Sequence, residues 1–372
     1  MDKIDLNKLA LSLKDQLKQG ADQRELDGSF AAQNHELLKS NSIFSAIVPL
    51  EMGGGGATYA ELASFLKQIA AYNSSTALSL AMHQHVVCTA VYNDKNGRPG
   101  RALLEKVAAN QPVLVSTGAN DWMESNGKAL KVEGGYSVTA FKPFASGSPS
   151  GQMLVSSCRY QDPEKGAQVI HFALPLNSDG VKFADDWDAM GMRETGSQTV
   201  ILENAFVPDA AVSVMRPQAG YCKLFDFVVP NALPLVMSVY LGIAEAAADI
   251  ALARASAKQE DEVQAYLVGE MLNALTMAQI TVQNMLSIHN EWGYEASIET
   301  TNLILIRKTI AANAVTTVAK KAMEIAGGAG YFRKLGLEKM LRDILAAQYH
   351  PMQEKRQHRF TGLLAMGQEP VT

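Results

Sequence analysis

The stretch Ala322-Met323-Glu324-Ile325-Ala326-Gly327-Gly328-Ala329-Gly330-Tyr331 decides how the last third of the chain is built. An alanine-rich run favours helix, and it meets a glycine cluster that a helix interior carries only at about 1 kcal/mol per residue. A helix must therefore stop here. Helical spacing resumes beyond it, from Leu335 to Gln348, as a shorter fourth segment. Upstream, residues 232–257, 261–292 and 300–328 share the alanine-rich texture, and each reads as a helix of about 25 to 30 residues, apolar around much of its circumference. Such helices need both bundle neighbours and a subunit partner.

Residues 113–118, 130–142, 151–160, 167–176 and 198–208 look different: short, rich in β-branched residues and separated by Gly, Asn, Ser or Pro. This pattern predicts an antiparallel sheet or barrel. Along Tyr136 to Phe141, Tyr136, Val138 and Ala140 alternate with Ser137, Thr139 and Phe141. Neither set is charged, so the strand is expected to lie between two packed surfaces. From Asp5 to Asn110 apolar residues recur at helical intervals, interrupted by Val48-Pro49-Leu50-Glu51 and the glycines from Gly53 to Gly56. The expected fold class is α+β: an N-terminal helical domain at 1–110, a central antiparallel β domain at 111–215 and a C-terminal four-helix bundle at 216–372.

Composition narrows the partners. With 47% hydrophobic residues in 372, the chain can bury a substantial core. A net charge of −5, with the charges interspersed, offers no basic face for nucleic acid or an anionic membrane. A small molecule is the expected partner. Cys88, Cys158 and Cys222 are odd in number, far apart and without ligand spacing, so they read as buried reduced thiols of a cytoplasmic protein, with no metal site. Residues 1–20 are charged and amphipathic rather than a signal peptide, and no long apolar run predicts a membrane span.

Several motifs, in order, carry a resemblance. Gly327-Gly328-Ala329-Gly330-Tyr331 followed by Glu338 and Arg342-Asp343 resembles the acyl-CoA dehydrogenase signature. Trp187, Gly191-Met192-Arg193-Glu194-Thr195-Gly196-Ser197 and Phe206-Val207-Pro208 resemble the β domain of that superfamily, so the likeness spans nearly the whole chain. It implies a flavin, FAD or FMN, between the β domain and the bundle, and a homotetramer. By position, Ser116, Thr117, Gly118 and Asn120 match the first flavin-contacting loop; Phe144, Ser146 and Gly147 match the second. Gly327 and Gly328 fall where a cofactor phosphate is met. Glu324 stands in place of the usual glutamine before them, a poor neighbour for a phosphate.

The departures bear on the reaction. The family's proton-abstracting glutamate is expected shortly after the Arg-Asp pair, where this chain has His350-Pro351-Met352, or before the first bundle helix, where it has Ala232-Leu233. A histidine at the first of these places resembles the flavin monooxygenases of the same fold, which take reduced flavin from a partner reductase. In that reading a near-neutral His350 handles a proton. In the dehydrogenase reading, His350 or a displaced Glu354 is the base, with an electron-transfer partner. A third reading makes His350 a cationic helix-end residue, and a catalytically silent family member is also open. His83 is a candidate substrate contact or a core histidine. Residues 354–359 read as a solvated charge run.

Overall fold

The computed structural model describes residues 3–118, 121, 123–257 and 262–370. Among these, the N-terminal part is helical: α1 (Leu6–Ser12), α2 (Lys14–Lys18), α3 (Ala21–Asp27), α4 (Ala32–Ser40), α5 (Tyr59–Ala70), α6 (Ser74–Lys95) and α7 (Arg101–Asn110). The longer ones start on side-chain caps. Thr58 and Glu61 form a reciprocal capping box on α5, and Asn73 accepts from Thr76 N–H at the start of α6.

The sheet follows: β1 (Leu114–Ser116), β2 (Lys128–Val132), β3 (Gly135–Ala145), β4 (Met153–Asp162), β5 (Gly166–Pro175), β6 (Val181–Phe183), β7 (Gln198–Pro208) and β8 (Val212–Pro217). Its order is β6-β7-β3-β2-β4-β5-β8, with β1 on β4. Pairing is antiparallel except where β4 meets β1 and β2. The expectation for β3 needs correction. Tyr136, Val138 and Ala140 are buried, but Thr139 and Phe141 are exposed, Phe141 at 64%. An uncharged strand face is not thereby a packed one.

The bundle is α8 (Phe225–Ser256), α9 (Glu262–His289), α10 (Ile298–Ala326), α11 (Leu337–Leu345) and α12 (Glu354–Ala365). The second and third long helices match the sequence reading. The first, α8, starts at Phe225 rather than at the expected 232 and carries Pro230 and Pro234 in its first turns, and α12 adds a helix where a solvated charge run was expected. Gln357 and Phe360 bury its inner side. The central α8 is long and apolar enough to cross a membrane, but 89% of that window is buried inside the protein. It crosses α5 so closely that a Cβ on Gly242 would lie 2.0 Å from Lys67 O.

The family-like motifs turn out to be interdomain clamps. The buried Asp343 carboxylate accepts from Met192 N–H, from Ser74 Oγ at 2.6 Å and from Lys339 Nζ at 2.7 Å. One side chain of the bundle thus ties down both the β domain and α6. Glu194 does the same in the other direction, accepting from Arg24 Nε at 2.6 Å and Asn73 Nδ2 at 3.0 Å. These charge-assisted bonds are buried, and therefore costly to leave half-made.

Candidate active site

The two predicted flavin loops lie against each other. Gly118 N–H donates to Pro143 O at 3.1 Å, and a Cβ on Gly118 would fall 2.9 Å from the Cβ of Phe144. Only glycine lets the loops close to this distance. Phe144 has a left-handed backbone (φ 60°), meets Trp187 edge-on at 6.3 Å and leaves 57% of its surface open. An aromatic held in strained backbone and still exposed is available as a wall. Below it, Ser146 Oγ is 2.8 Å from Ser197 Oγ, which is 2.7 Å from Thr195 Oγ1; Gly147 N–H donates to Thr195 O at 2.8 Å. The Thr195-Gly196-Ser197 run thereby fixes the second loop.

In the first loop the hydroxyls divide. Thr117 Oγ1 is committed to Asp121 and to Ser156 Oγ, which is 2.9 Å away, and Asp121 is paired with buried Lys142 at 3.0 Å. The Thr117 hydroxyl therefore stabilises the loop from behind and is not free to meet a cofactor. Ser116 Oγ is buried with no hydrogen-bond partner among the described residues. A buried orphan hydroxyl two residues before the glycine that packs on an open aromatic fits a polar, planar ligand such as a flavin. Asn120 lies outside the described residues.

His350 follows α11, and its Nε2 lies 2.7 Å from the hydroxyl of Tyr240 on α8. The residue is half-buried. Burial, and then the charges of Lys308 and His85, push its pKa down to about 3. Burial holds the Tyr240 hydroxyl well above the usual range, so it keeps its proton. Tyr240 therefore donates to Nε2, and the neutral imidazole carries its own proton on Nδ1. This corrects both the near-neutral titrating His350 and the cationic helix-end His350 expected from sequence.

Two other candidates are also corrected. His83 is fully engaged with backbone: Nε2 pairs with Phe44 O at 2.8 Å, and Nδ1 accepts from Leu114 N–H at 3.0 Å. It is a core histidine tying α6 to β1, not a substrate contact. Two residues on, His85 is close enough to act on the charge of His350, so α6 links the first of the two loops to the histidine. Glu354 accepts from Asn313 Nδ2 at 3.0 Å and pairs with Lys355 at 3.0 Å. These contacts hold its carboxyl below the ordinary value, the opposite of what a general base requires.

At the far end, Glu324 is exposed and paired with Lys321 at 2.9 Å, which removes the repulsion expected there. Gly327 and Gly328 have open space on their Cβ side, and Gly327 has φ 60° where α10 ends. They are an accessible turn. The alternative place for the base, expected before the first bundle helix, falls inside α8 and holds buried Ala232 and Leu233, with no carboxylate. Sequence reasoning missed Tyr240, because its partner is 110 positions away.

Comparisons with known proteins agree with this architecture. The acyl-CoA dehydrogenase N-terminal domain profile matches residues 9–110, and the acyl-CoA dehydrogenase C-terminal domain profile matches 235–355. The chain is 24% identical over 360 residues to the putative acyl-CoA dehydrogenase YdbM of Bacillus subtilis, with 91% of each chain covered. It is 25% identical over 384 residues to dibenzothiophene monooxygenase of Rhodococcus erythropolis, covering 92% of this chain and 88% of that one. KijD3, solved with FMN and a dTDP-linked amino-keto sugar, has the same fold at a TM-score of 0.87 and 22% identity, covering 98% and 93% of the two chains.

Proposed function

The chain belongs to the acyl-CoA dehydrogenase superfamily and is a flavin-dependent oxidoreductase, and from that premise we propose that it is an oxygen-dependent monooxygenase of a small molecule, using reduced flavin from a partner reductase. The observation that carries this reading is the chemistry of the site's titratable side chains. Removing an α-proton from a thioester needs a base poised near the working pH. Here the family positions hold a neutral imidazole, alanine and leucine, and the nearest displaced carboxylate is held low. The naming of dibenzothiophene monooxygenase and the FMN in KijD3 support the same branch.

When bound, the flavin supplies the two electrons and the reactivity toward oxygen; one oxygen atom enters the substrate and the other leaves as water. The remaining roles fall to the chain. Phe144 walls the ring, Ser116 offers its free hydroxyl and the Gly118 turn permits close approach. His350, oriented by Tyr240, holds a proton at Nδ1 for donation to a polar group of the substrate. Burial keeps bulk water from competing for it.

We place the protein in the cytoplasm, a reading supported by three buried unpaired thiols. A homotetramer is the proposed assembly. Tyr266, Met277 and Ile280 on α9 and Leu303 and Ile310 on α10 expose 40–68% of their surfaces, as an oligomer interface would require.

The test supplies reduced FMN or FAD anaerobically, then admits 18O2 with aromatic sulfur, nitrogen and carbon substrates. Incorporation of 18O into product supports the proposal. Bleaching of oxidised flavin by an acyl-CoA, without incorporation, would return the reaction to dehydrogenation. Failure to bind either flavin would make the chain a silent member.

A further inference from the structure

Lys308 on α10 is almost completely buried, at 1% exposure, and has no carboxylate within ion-pair distance among the described residues. Its Nζ donates to Met352 O at 3.2 Å and, more weakly, to Gln348 O at 3.5 Å. Those two carbonyls stand two residues after and two residues before His350. A buried ammonium without a counter-ion is expensive, and an apolar residue at this helix position would ordinarily be more stable. Its neighbours on the same helix stripe, Thr301, Ile304, Ala311 and Val315, are all buried. What distinguishes the position is the loop that it grips.

We propose that Lys308 is a positioning residue for His350: its ammonium staples the Gln348–Met352 loop and so holds the imidazole against Tyr240. The inference rests on the proton-holding role proposed above for His350. The groups that face the ring agree with it. Tyr240 comes from α8, His85 from α6 and Lys308 from α10; Glu354, at the start of α12, acts on Lys308, and Asp343 of α11 acts on Tyr240. Burial lowers the pKa of Lys308 to about 8, against a partial opposing effect of Glu354. The staple is therefore charged at neutral pH and loses its proton in mildly alkaline solution.

The test uses the full-length protein labelled at histidine Cε1, with the His350 signal assigned from His350→Gln. In the wild type, the His350 signal should stay at its neutral position down to pH 5 and show a small step with a midpoint near pH 8. In Lys308→Met and Lys308→Gln the step should vanish, and the His350 midpoint should rise by at least one pH unit. A flat wild-type signal between pH 6.5 and 9.5, or an unchanged midpoint in a folded variant, overturns the proposal. If both variants fail to fold, the wild-type step alone decides. A normal step together with full activity in His350→Gln would keep the staple and remove the proton-holding role.

Discussion

Gly191 rests against the backbone of Arg342 so tightly that a Cβ would lie 2.5 Å from its carbonyl oxygen and 2.6 Å from its carbonyl carbon. Two family-like motifs, 151 positions apart, thus meet backbone to backbone, and the adjacent Met192 N–H bonds to Asp343. Gly191→Ala must push the β domain off α11, since no flexible side chain can give way. Overpacking of this kind costs roughly 1–3 kcal/mol. Thermal unfolding should show a lowered midpoint; an unchanged one would mean that the two motifs do not dock as described.

A second clamp closes the start of α5. The Glu291 carboxylate accepts from Tyr59 N–H at 2.8 Å and Ala60 N–H at 2.9 Å, from a turn in which Asn290, Glu291 and Trp292 all have positive φ. The cap anchors the turn between α9 and α10. Glu291→Ala should cost about 1–2 kcal/mol, in the upper range for a helix cap. Urea denaturation measures it, and a loss below about 0.3 kcal/mol would remove the role.

Acid sensitivity follows from the buried imidazoles. His35, His83, His85, His171, His289 and His350 are all depressed, to about 3 or 4, chiefly by burial. In the unfolded chain they take up protons near pH 6.5, while the folded chain does not. Stability is therefore complete above about pH 6.5 and falls as pH drops toward 4, each group contributing up to about 1.4 kcal/mol per pH unit. Denaturation midpoints should decline steeply across that window. A flat profile there would contradict the burial.

His83 ties α6 to β1, so His83→Leu leaves Leu114 N–H without its partner and Phe44 O with only the longer 3.4 Å bond from Gln84 Nε2. An orphaned buried group costs about 1–3 kcal/mol. The variant should unfold earlier, yet the folded fraction should keep the wild-type KM. A raised KM without loss of stability would restore His83 to the substrate site.

Much of the fold was legible because periodicity reports it directly: the glycine cluster at 327–330 marks the end of α10, and the second and third long helices fall where the apolar spacing placed them. The α12 helix was not, since Glu354-Lys355-Arg356-Gln357-His358-Arg359 hides the buried Gln357 and Phe360 in a charged run. The two loops proposed to hold flavin were singled out through motif order, and they do lie against each other. The Tyr240–His350 pair was not, because spacing gives the face of a helix and not the partner of a side chain. Lys308 did leave a signal: a lysine on the apolar stripe of Thr301, Ile304, Ala311 and Val315.

The central claim is that the loops at Ser116–Gly118 and Phe144–Gly147 form a flavin site. Anaerobic equilibrium dialysis with oxidised and reduced FMN and FAD measures it directly, comparing wild type with Gly118→Val, which would drive a side chain into Phe144 and Pro143. The account predicts saturable binding of at least one flavin and an affinity at least about tenfold weaker, or ~1.4 kcal/mol, in the folded variant. No saturable binding by the wild type, or equal affinity in Gly118→Val, would contradict it.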